Sequence, residues 1–183
     1  MRKILLLTLL LLVFFALAAN ASQMIINFDD LQGDNLPVPD GYGNVTWYNQ
    51  WTYYGFVQDP YNAHSPPNRV YTGNADAMFT FNSPEVFDGA WFAGQPTTNV
   101  QFQGYLNGAL EFTSSSLTTS STPTFLNSGY AGMVDTIHVL SNAPDFYVMD
   151  DVTYESGGVP EPGSLVLMGT GLVGLAGYLR RKF

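Results

Sequence analysis

The chain has no cysteine, few basic residues and no long amphipathic helix pattern. Without cysteine among its 183 residues, it has no disulfide bonds, thiol chemistry or cysteine-based zinc sites. Of its six lysines and arginines, five lie in the first three or last four positions, and the sixth is Arg69. The two histidines, His64 and His138, occur in no zinc-protease or serine-hydrolase motif. These absences disfavour the common nucleophilic and metal-dependent enzymes.

The acidic residues lie between two apolar termini. All fifteen fall in this middle part, against Arg69 alone, so its formal charge is −14, whereas the whole chain carries −9. Phosphate groups are repelled by such a surface. The sequence therefore predicts no nucleic-acid partner and favours cations and neutral polymers.

The N-terminus has the three parts of a secretory signal peptide. A basic start at Met1–Lys3 precedes an apolar run, Ile4–Ala19, and small residues follow up to Ala21. We expect export by the Sec translocon and removal of residues 1–21 by signal peptidase. An uncleaved signal anchor is the alternative.

The C-terminus combines a rigid linker, an apolar run and a basic end. The linker spans residues 156–162, the uncharged run spans residues 163–179, and the tail spans residues 180–183. Seventeen residues at about 1.5 Å rise are just long enough for a transmembrane helix. Basic flanks stay in the cytoplasm, so the region between the two apolar runs is predicted to lie outside.

This C-terminal pattern resembles the PEP-CTERM sorting signal of Gram-negative bacteria. The resemblance rests on Val159, Pro160, Glu161 and Pro162, on the glycine-rich helix, and on Arg180, Arg181 and Lys182. It implies recognition by an exosortase-type membrane protease. It also implies transient anchoring in the inner membrane, followed by display on the cell surface or in the extracellular matrix. A role around extracellular polysaccharide or biofilm is implied in turn.

Residues 22–155 are predicted to form one exported domain of many short strands. Apolar and aromatic runs alternate with Gly, Pro, Asn and Ser, and Asn107-Gly108 is a strong hairpin turn. This pattern predicts an all-β fold, an antiparallel β-sandwich of jelly-roll type. The predicted strands are Met24–Phe28, Val45–Tyr48, Trp51–Val57, Ala77–Phe81, Val86–Phe92, Asn99–Leu106, Ala109–Thr113, Pro123–Leu126, Thr136–Leu140 and Phe146–Tyr154.

The exported domain is similar to galactose-binding-like β-sandwich modules. The similarity rests on Phe28-Asp29-Asp30, Gly41-Tyr42-Gly43 with Trp47, Gly104-Tyr105, Gly129-Tyr130-Ala131-Gly132 with Asp135, and the run from Phe146 to Tyr154. It implies carbohydrate binding and, in many members, a structural calcium ion.

Two acidic pairs are candidate ligands for such a calcium ion. Asp29 and Asp30 end the first predicted strand, and Asp150 and Asp151 lie in the last. Terminal strands of a jelly roll usually lie side by side, which would bring the four carboxylates together, and calcium takes six to eight oxygen ligands. The alternative is that these aspartates are solvated strand ends.

Aromatic residues are dense between positions 47 and 61. In a continuous strand, Trp47, Asn49, Trp51 and Tyr53 share one face. Flat rings beside amides suit sugar rings, so these residues are predicted as a carbohydrate platform. The alternative is that they fill the core. The opposite face would carry Tyr48, Gln50, Tyr54 and Phe56.

We expect no catalytic residues in this chain. A glycosidase needs only two carboxylates at a set separation, and Glu85 and Glu111 are available. Because the histidines and serines occur in no catalytic motif, the sequence favours a non-catalytic module. The family resemblance implies that this module is associated with extracellular polysaccharide. A glycan-active enzyme and a protein-binding adhesin are the alternatives.

Overall fold

The computed structural model describes residues 22–156, in which the regular structure is β-strand apart from one short 3-10 helix at Tyr42–Asn44. No helix in this part of the chain is long and apolar enough to cross a membrane. The predicted signal peptide and transmembrane helix lie outside the described residues. The strands are β1 (Ser22–Ile26), β2 (Leu36–Pro37), β3 (Val45–Thr46), β4 (Thr52–Tyr54), β5 (Arg69–Tyr71), β6 (Asp76–Gly94), β7 (Asn99–Leu106), β8 (Ala109–Thr113), β9 (Leu117–Thr118), β10 (Thr124–Asn127), β11 (Met133–Ser141) and β12 (Tyr147–Ser156).

The long strand β6 links the two layers of an antiparallel β-sandwich. Its first part pairs with β3 and β11, and its last part pairs with β10 and β12. The hydrogen-bonded order continues from β12 through β5, β4 and β2. On the other side of β6 it continues from β11 through β7 and β8. The predicted all-β antiparallel sandwich is confirmed. The sequence prediction divided β6 into two strands, because Pro84 and its polar neighbours resemble a turn.

The hairpin between β7 and β8 follows the sequence closely. Asn107 and Gly108 have φ of 52° and 80°, the left-handed conformations that a tight hairpin turn requires. Leu106 pairs with Ala109 directly across this turn. Both strands have the bounds that the sequence predicts.

Aromatic side chains dominate the core between the layers. Trp47, Trp51, Phe79, Phe87 and Phe92 are all at most 1% exposed. Their rings meet at angles and offsets typical of aromatic clusters, for example 5.2 Å between the centroids of Trp47 and Phe79. Since the chain has no cysteine, no disulfide supports this domain, and burial of these rings contributes strongly to its stability.

A second, smaller apolar cluster lies on the outer face of the layer that contains β4, β5 and β12. Strand residues alternate between the two faces, so Tyr53 enters the core whereas Tyr54 lies outside. Tyr54, Ala93 and Val148 form this outer cluster, with Tyr61 and Tyr71 packed against it. The loop of residues 55–68 contributes Tyr61 and therefore covers part of the outer face.

Candidate functional site: a tyrosine-lined cleft

An open cleft of about 300 Å³ lies on this outer face. Four of its lining side chains are tyrosines, one is phenylalanine, two are amides and one is a carboxylate. We call it the tyrosine cleft. It is lined by Asn35, Tyr54, Phe56, Gln58, Tyr61, Tyr71, Asp145, Tyr147 and Val148.

Neighbouring strands supply the floor of the tyrosine cleft. Tyr54 on β4 and Tyr71 on β5 lie on the same face of the sheet, with ring centroids 5.6 Å apart and planes at 76°. Val148 on β12 belongs to the same apolar cluster. Pairing of β4, β5 and β12 thus fixes the positions of these residues.

The loop of residues 55–68 supplies one wall. Phe56 contacts the Tyr54 ring at a centroid distance of 4.7 Å, yet 46% of its surface remains exposed. Gln58 and Tyr61 follow on the same loop, which turns through a hydrogen bond from Tyr61 N–H to Gln58 C=O of 2.7 Å. Rings that remain partly exposed after folding are available to a ligand.

A buried arginine attaches this loop to the floor. The Arg69 guanidinium carbon lies 4.0 Å from the centroid of the Tyr54 ring, a cation–π contact. The guanidinium donates to the carbonyls of Phe56 (2.6 Å) and Pro67 (3.3 Å), at either end of the loop. Arg69 is 3% exposed and makes no salt bridge to any described carboxylate. Burial raises the pKa of Tyr54 although this cation lies beside it.

Polar groups lie at the rim and at one end of the cleft. Asn35, Gln58 and Asp145 are exposed. The carboxylate of Asp145 lies over Gly73, where an added Cβ would be 3.2 Å from Asp145 Oδ1. Tyr147 is fully buried, and its hydroxyl has no hydrogen-bond partner among the described atoms. Burial raises its pKa. The cleft thus combines ring faces with amide and carboxylate groups.

A second constellation fixes the far end of the same loop to β12. We call His64, Ser65, Asp150 and Asp151 the carboxylate clamp. The backbone N–H groups of His64 and Ser65 both donate to Asp150 Oδ2 at 2.8 Å. His64 Nδ1 lies 2.5 Å from Asp151 Oδ2, and Ser65 Oγ donates to Asp151 Oδ1 at 2.8 Å.

Burial and backbone conformation distinguish the two aspartates of the carboxylate clamp. Asp150 is 2% exposed, and burial raises its pKa to about 7, although backbone N–H groups of Ser65, Asp151 and His64 lower it. Asp151 has φ of 45°, and the pairing register with β6 shifts after Asp150, so the strand bulges here. The bulge places both carboxylates toward the loop.

The carboxylate clamp contains the residue types of a hydrolase triad in a different arrangement. In a triad the serine hydroxyl donates to the histidine ring, which makes it a nucleophile. Here Ser65 Oγ donates to Asp151, and the His64 ring stacks on Trp91 with centroids 3.5 Å apart and planes at 10°. These contacts hold the loop in place and do not activate Ser65.

The predicted carbohydrate platform is wrong, because its rings lie in the core. Trp47 and Trp51 are 0% exposed and Tyr53 is 5% exposed. Left-handed backbone at Tyr48 and Asn49, with φ of 57° and 54°, interrupts the strand, and both indoles point inward on either side of the turn. Asn49 is exposed on this turn without a neighbouring platform ring. The structure shows the alternative that the sequence left open, in which these rings pack in the core.

The four aspartates predicted to bind calcium lie in two separate hydrogen-bonded sites. Asp29 Oδ1 accepts from the Asn68 N–H (2.9 Å) and Asp30 Oδ1 from the Tyr42 hydroxyl (2.5 Å). The carboxylates of Asp150 and Asp151 serve the clamp instead. Within residues 22–156, no group of three or more His, Asp or Glu side chains is placed to hold a metal ion. These residues therefore do not form the predicted site, and calcium binding stays a prediction.

The residues of the tyrosine cleft were only partly accessible to sequence reasoning. Strand alternation correctly placed Tyr54 and Phe56 on the face opposite Trp51. Tyr71 and Asp145 gave no signal in the sequence. Pairing of β5 with β4 and β12 positions Tyr71, and a hydrogen bond from Asp145 N–H to the Thr72 carbonyl positions Asp145. The predicted sorting residues, from Val159 to Pro162 and from Arg180 to Lys182, lie outside the described residues.

Comparison with known proteins identifies the C-terminal segment and finds solved structures of low similarity. No curated protein sequence matches the chain. Solved structures of family 29 carbohydrate-binding modules resemble 75% of it. They include a mutant module (15% identity, 94% of that chain, TM-score 0.42), a mutant in complex with mannohexaose (15%, 94%, 0.41) and a further mutant (15%, 94%, 0.43). The fold of the chain itself follows from the strand pairing above.

A family profile for the PEP-CTERM protein-sorting motif matches residues 158–182, which marks the chain for export and membrane-associated sorting in a Gram-negative bacterium.

Proposed function

We propose that the domain of residues 22–156 is a non-catalytic module that binds carbohydrate in the tyrosine cleft. In this role it associates the exported protein with extracellular polysaccharide. The observation that carries the proposal is the set of partly exposed rings, Phe56, Tyr61 and Tyr71, beside the amides of Asn35 and Gln58. Sugars present apolar C–H faces and hydroxyl edges, and this cleft offers a partner for each.

The hydroxyls of the cleft support this reading. Among the described residues, Tyr61 and Tyr71 make no side-chain hydrogen bond, so their hydroxyls are free for a ligand. Elsewhere in the domain, tyrosine hydroxyls are used internally, as that of Tyr53 is in donating to the Gln32 carbonyl at 2.7 Å. The cleft therefore keeps hydrogen-bonding capacity that folding does not consume.

Delivery to the polysaccharide would follow from the two ends of the chain. In this proposal the Sec translocon and signal peptidase act on residues 1–21. An exosortase-type protease then acts at the motif of residues 158–182. The mature domain is displayed at the cell surface or in the matrix.

Binding is tested with the full chain in a polyoxyethylene detergent, which carries neither sugar nor amine. A glycan array identifies ligands, and calorimetry measures their affinity for wild type, Tyr61→Ala and Tyr48→Ala. Tyr48 is a matched control, since it is an exposed tyrosine outside the cleft. We expect Tyr61→Ala to weaken binding about tenfold or more and Tyr48→Ala to leave it unchanged.

Three results would contradict the proposal. If no glycan on the array binds, carbohydrate binding is refuted. If Tyr61→Ala and Tyr48→Ala lose the same affinity, the ligand binds elsewhere. Release of shorter products from a bound glycan would favour a glycan-active enzyme. Melting temperatures of both variants show whether a loss of binding reflects unfolding.

A further inference from the structure

The tyrosine cleft lies in a strongly acidic domain, residues 22–156, that has no accessible lysine or arginine side chain. All but one of the chain's fifteen acidic residues fall within residues 22–156, and Arg69 is the only lysine or arginine there. Arg69 is 3% exposed and its guanidinium is covered by the Tyr54 ring and two carbonyls. A ligand in the cleft therefore meets carboxylates and ring faces, and no accessible arginine or lysine.

One carboxylate lines the cleft, and two more belong to the sequence neighbours of lining residues. Asp145 lines it, Asp59 follows the lining residue Gln58, and Asp34 precedes the lining residue Asn35. Asp34 Oδ1 also accepts from the Gly55 N–H at 2.6 Å, which places this carboxylate beside the loop wall. No side-chain hydrogen bond or salt bridge to a described residue neutralises Asp145. The local field disfavours uronic acids and sulfated sugars, and it attracts cations.

The rings add to this attraction. The faces of tyrosine and phenylalanine carry negative electrostatic potential and bind ammonium groups that lie above them. Arg69 already uses the Tyr54 ring in this way inside the protein, at 4.0 Å. Phe56, Tyr61 and Tyr71 keep exposed surface for an external cation.

We propose that the glycan bound by the tyrosine cleft carries free amines, as in a de-N-acetylated hexosamine polymer, with an ammonium group held between the carboxylate of Asp145 and the exposed ring faces. The inference rests on the proposed function in taking the ligand to be a glycan in this cleft. It adds the chemical class of that glycan. Neutral glycans use the same ring faces with lower affinity, and anionic glycans are rejected.

Calorimetry with hexamers of one length tests the inference. The probes are hexamers of glucosamine, N-acetylglucosamine, glucose and a uronic acid, measured with the full chain in the same detergent at mildly acidic pH, where the amines are protonated. We expect the glucosamine hexamer to bind about tenfold more tightly than the acetylated one. This preference should decrease with added salt, since salt screens the charges. The uronic acid hexamer should not bind.

Two variants with the same change of charge locate the effect. Asp145→Asn is expected to abolish the preference for amines while neutral hexamers still bind. Glu111→Gln, at an exposed carboxylate outside the cleft, is expected to preserve the preference. Equal losses in both variants would show general attraction by the acidic domain and would overturn the assignment to Asp145.

Failure of the inference and failure of the proposed function give different results. If neutral hexamers bind as tightly as the glucosamine hexamer, the inference is wrong and carbohydrate binding stands. If none of the four hexamers binds and the glycan array is also negative, both are wrong. Tighter binding of the uronic acid hexamer would overturn the inference alone.

Discussion

Two aromatic clusters arise from one short stretch of sequence and have opposite roles. Trp47 and Trp51 are fully buried in the core, whereas Tyr54, Phe56 and Tyr61 line the tyrosine cleft. Sequence position does not separate them, because all five rings fall within fifteen residues. The clusters differ in whether their polar atoms are hydrogen-bonded within the protein.

The indoles of the core are satisfied by the backbone. Trp47 Nε1 donates to the Tyr42 carbonyl at 3.0 Å, and Trp51 Nε1 donates to the Met78 carbonyl at 3.1 Å. A buried polar group without a partner would be costly, so these bonds permit complete burial. The Tyr61 and Tyr71 hydroxyls have no such partner among the described residues and remain at the surface. A surface tyrosine whose hydroxyl has no hydrogen-bond partner within the described residues is the better candidate for ligand binding.

Replacing a core ring should have the largest effect on stability. Trp51→Ala removes a fully buried indole and its bond to Met78, and we expect a loss of about 3–5 kcal/mol in the free energy of unfolding. Denaturant titration of the full chain measures it. Tyr61→Ala serves as the comparison and should cost much less. Similar losses for the two variants would contradict the division into core and cleft.

The pH dependence of the carboxylate clamp should be the next largest effect. Burial raises the pKa of Asp150 to about 7, whereas the unfolded carboxyl ionises near 3.8. The folded state therefore holds this proton more tightly, and its stabilising contribution is complete below about pH 4 and is lost as pH rises through 7. Asp151 and the His64 ring belong to the same clamp and lie next to Asp150.

Asp150→Asn isolates this contribution, because the side chain does not titrate and its amide oxygen can still accept from the His64 and Ser65 N–H groups. Its amide nitrogen then faces the Asp151 N–H, a cost that is the same at every pH. Denaturant titrations at acidic and neutral pH should show wild type losing more stability than the variant over this range, by up to about 4 kcal/mol. Parallel pH profiles for the two proteins would show that Asp150 titrates normally.

A smaller effect is expected from one hydroxyl of the cleft. Tyr71→Phe keeps the ring and its contact with Tyr54 but removes the free hydroxyl. We expect the affinity for the glycan to fall by about 0.5–1.5 kcal/mol with little change in melting temperature. Calorimetry measures the affinity, and Tyr48→Phe outside the cleft is the control. Unchanged affinity would mean that the ligand contacts only the ring faces.

The fold was largely predictable because much of its information is local. Alternation in β7 and the Asn107-Gly108 turn specify one hairpin, and both residues have the required positive φ. The short strands β2, β5 and β9 were missed. Two or three residues are too few to show alternation, and pairing with longer strands creates them.

The candidate site was less predictable because it is assembled from distant residues. Pairing of β5 with β4 and β12 brings Tyr71 beside the loop of residues 55–68. Asp145 is held next to β5 because its N–H donates to the Thr72 carbonyl at 3.0 Å. The same holds for the carboxylate clamp, in which His64 and Asp151 are 87 positions apart. The prediction that Trp47 and Trp51 belong to a carbohydrate platform was wrong for a physical reason. Positive φ at Tyr48 and Asn49 breaks the pleat on which the predicted shared face depended.

The course of β12 has a mechanical consequence. The strand begins at Tyr147 beside the tyrosine cleft and ends at Ser156, a span of about 30 Å. The sorting motif begins two positions later in the sequence. Its hydrogen bonds to β6 run across the strand, so a pull along it strains them together and not one after another. Tension between a captured polymer and a C-terminal attachment would therefore load the domain in shear, the direction in which a paired strand resists separation best.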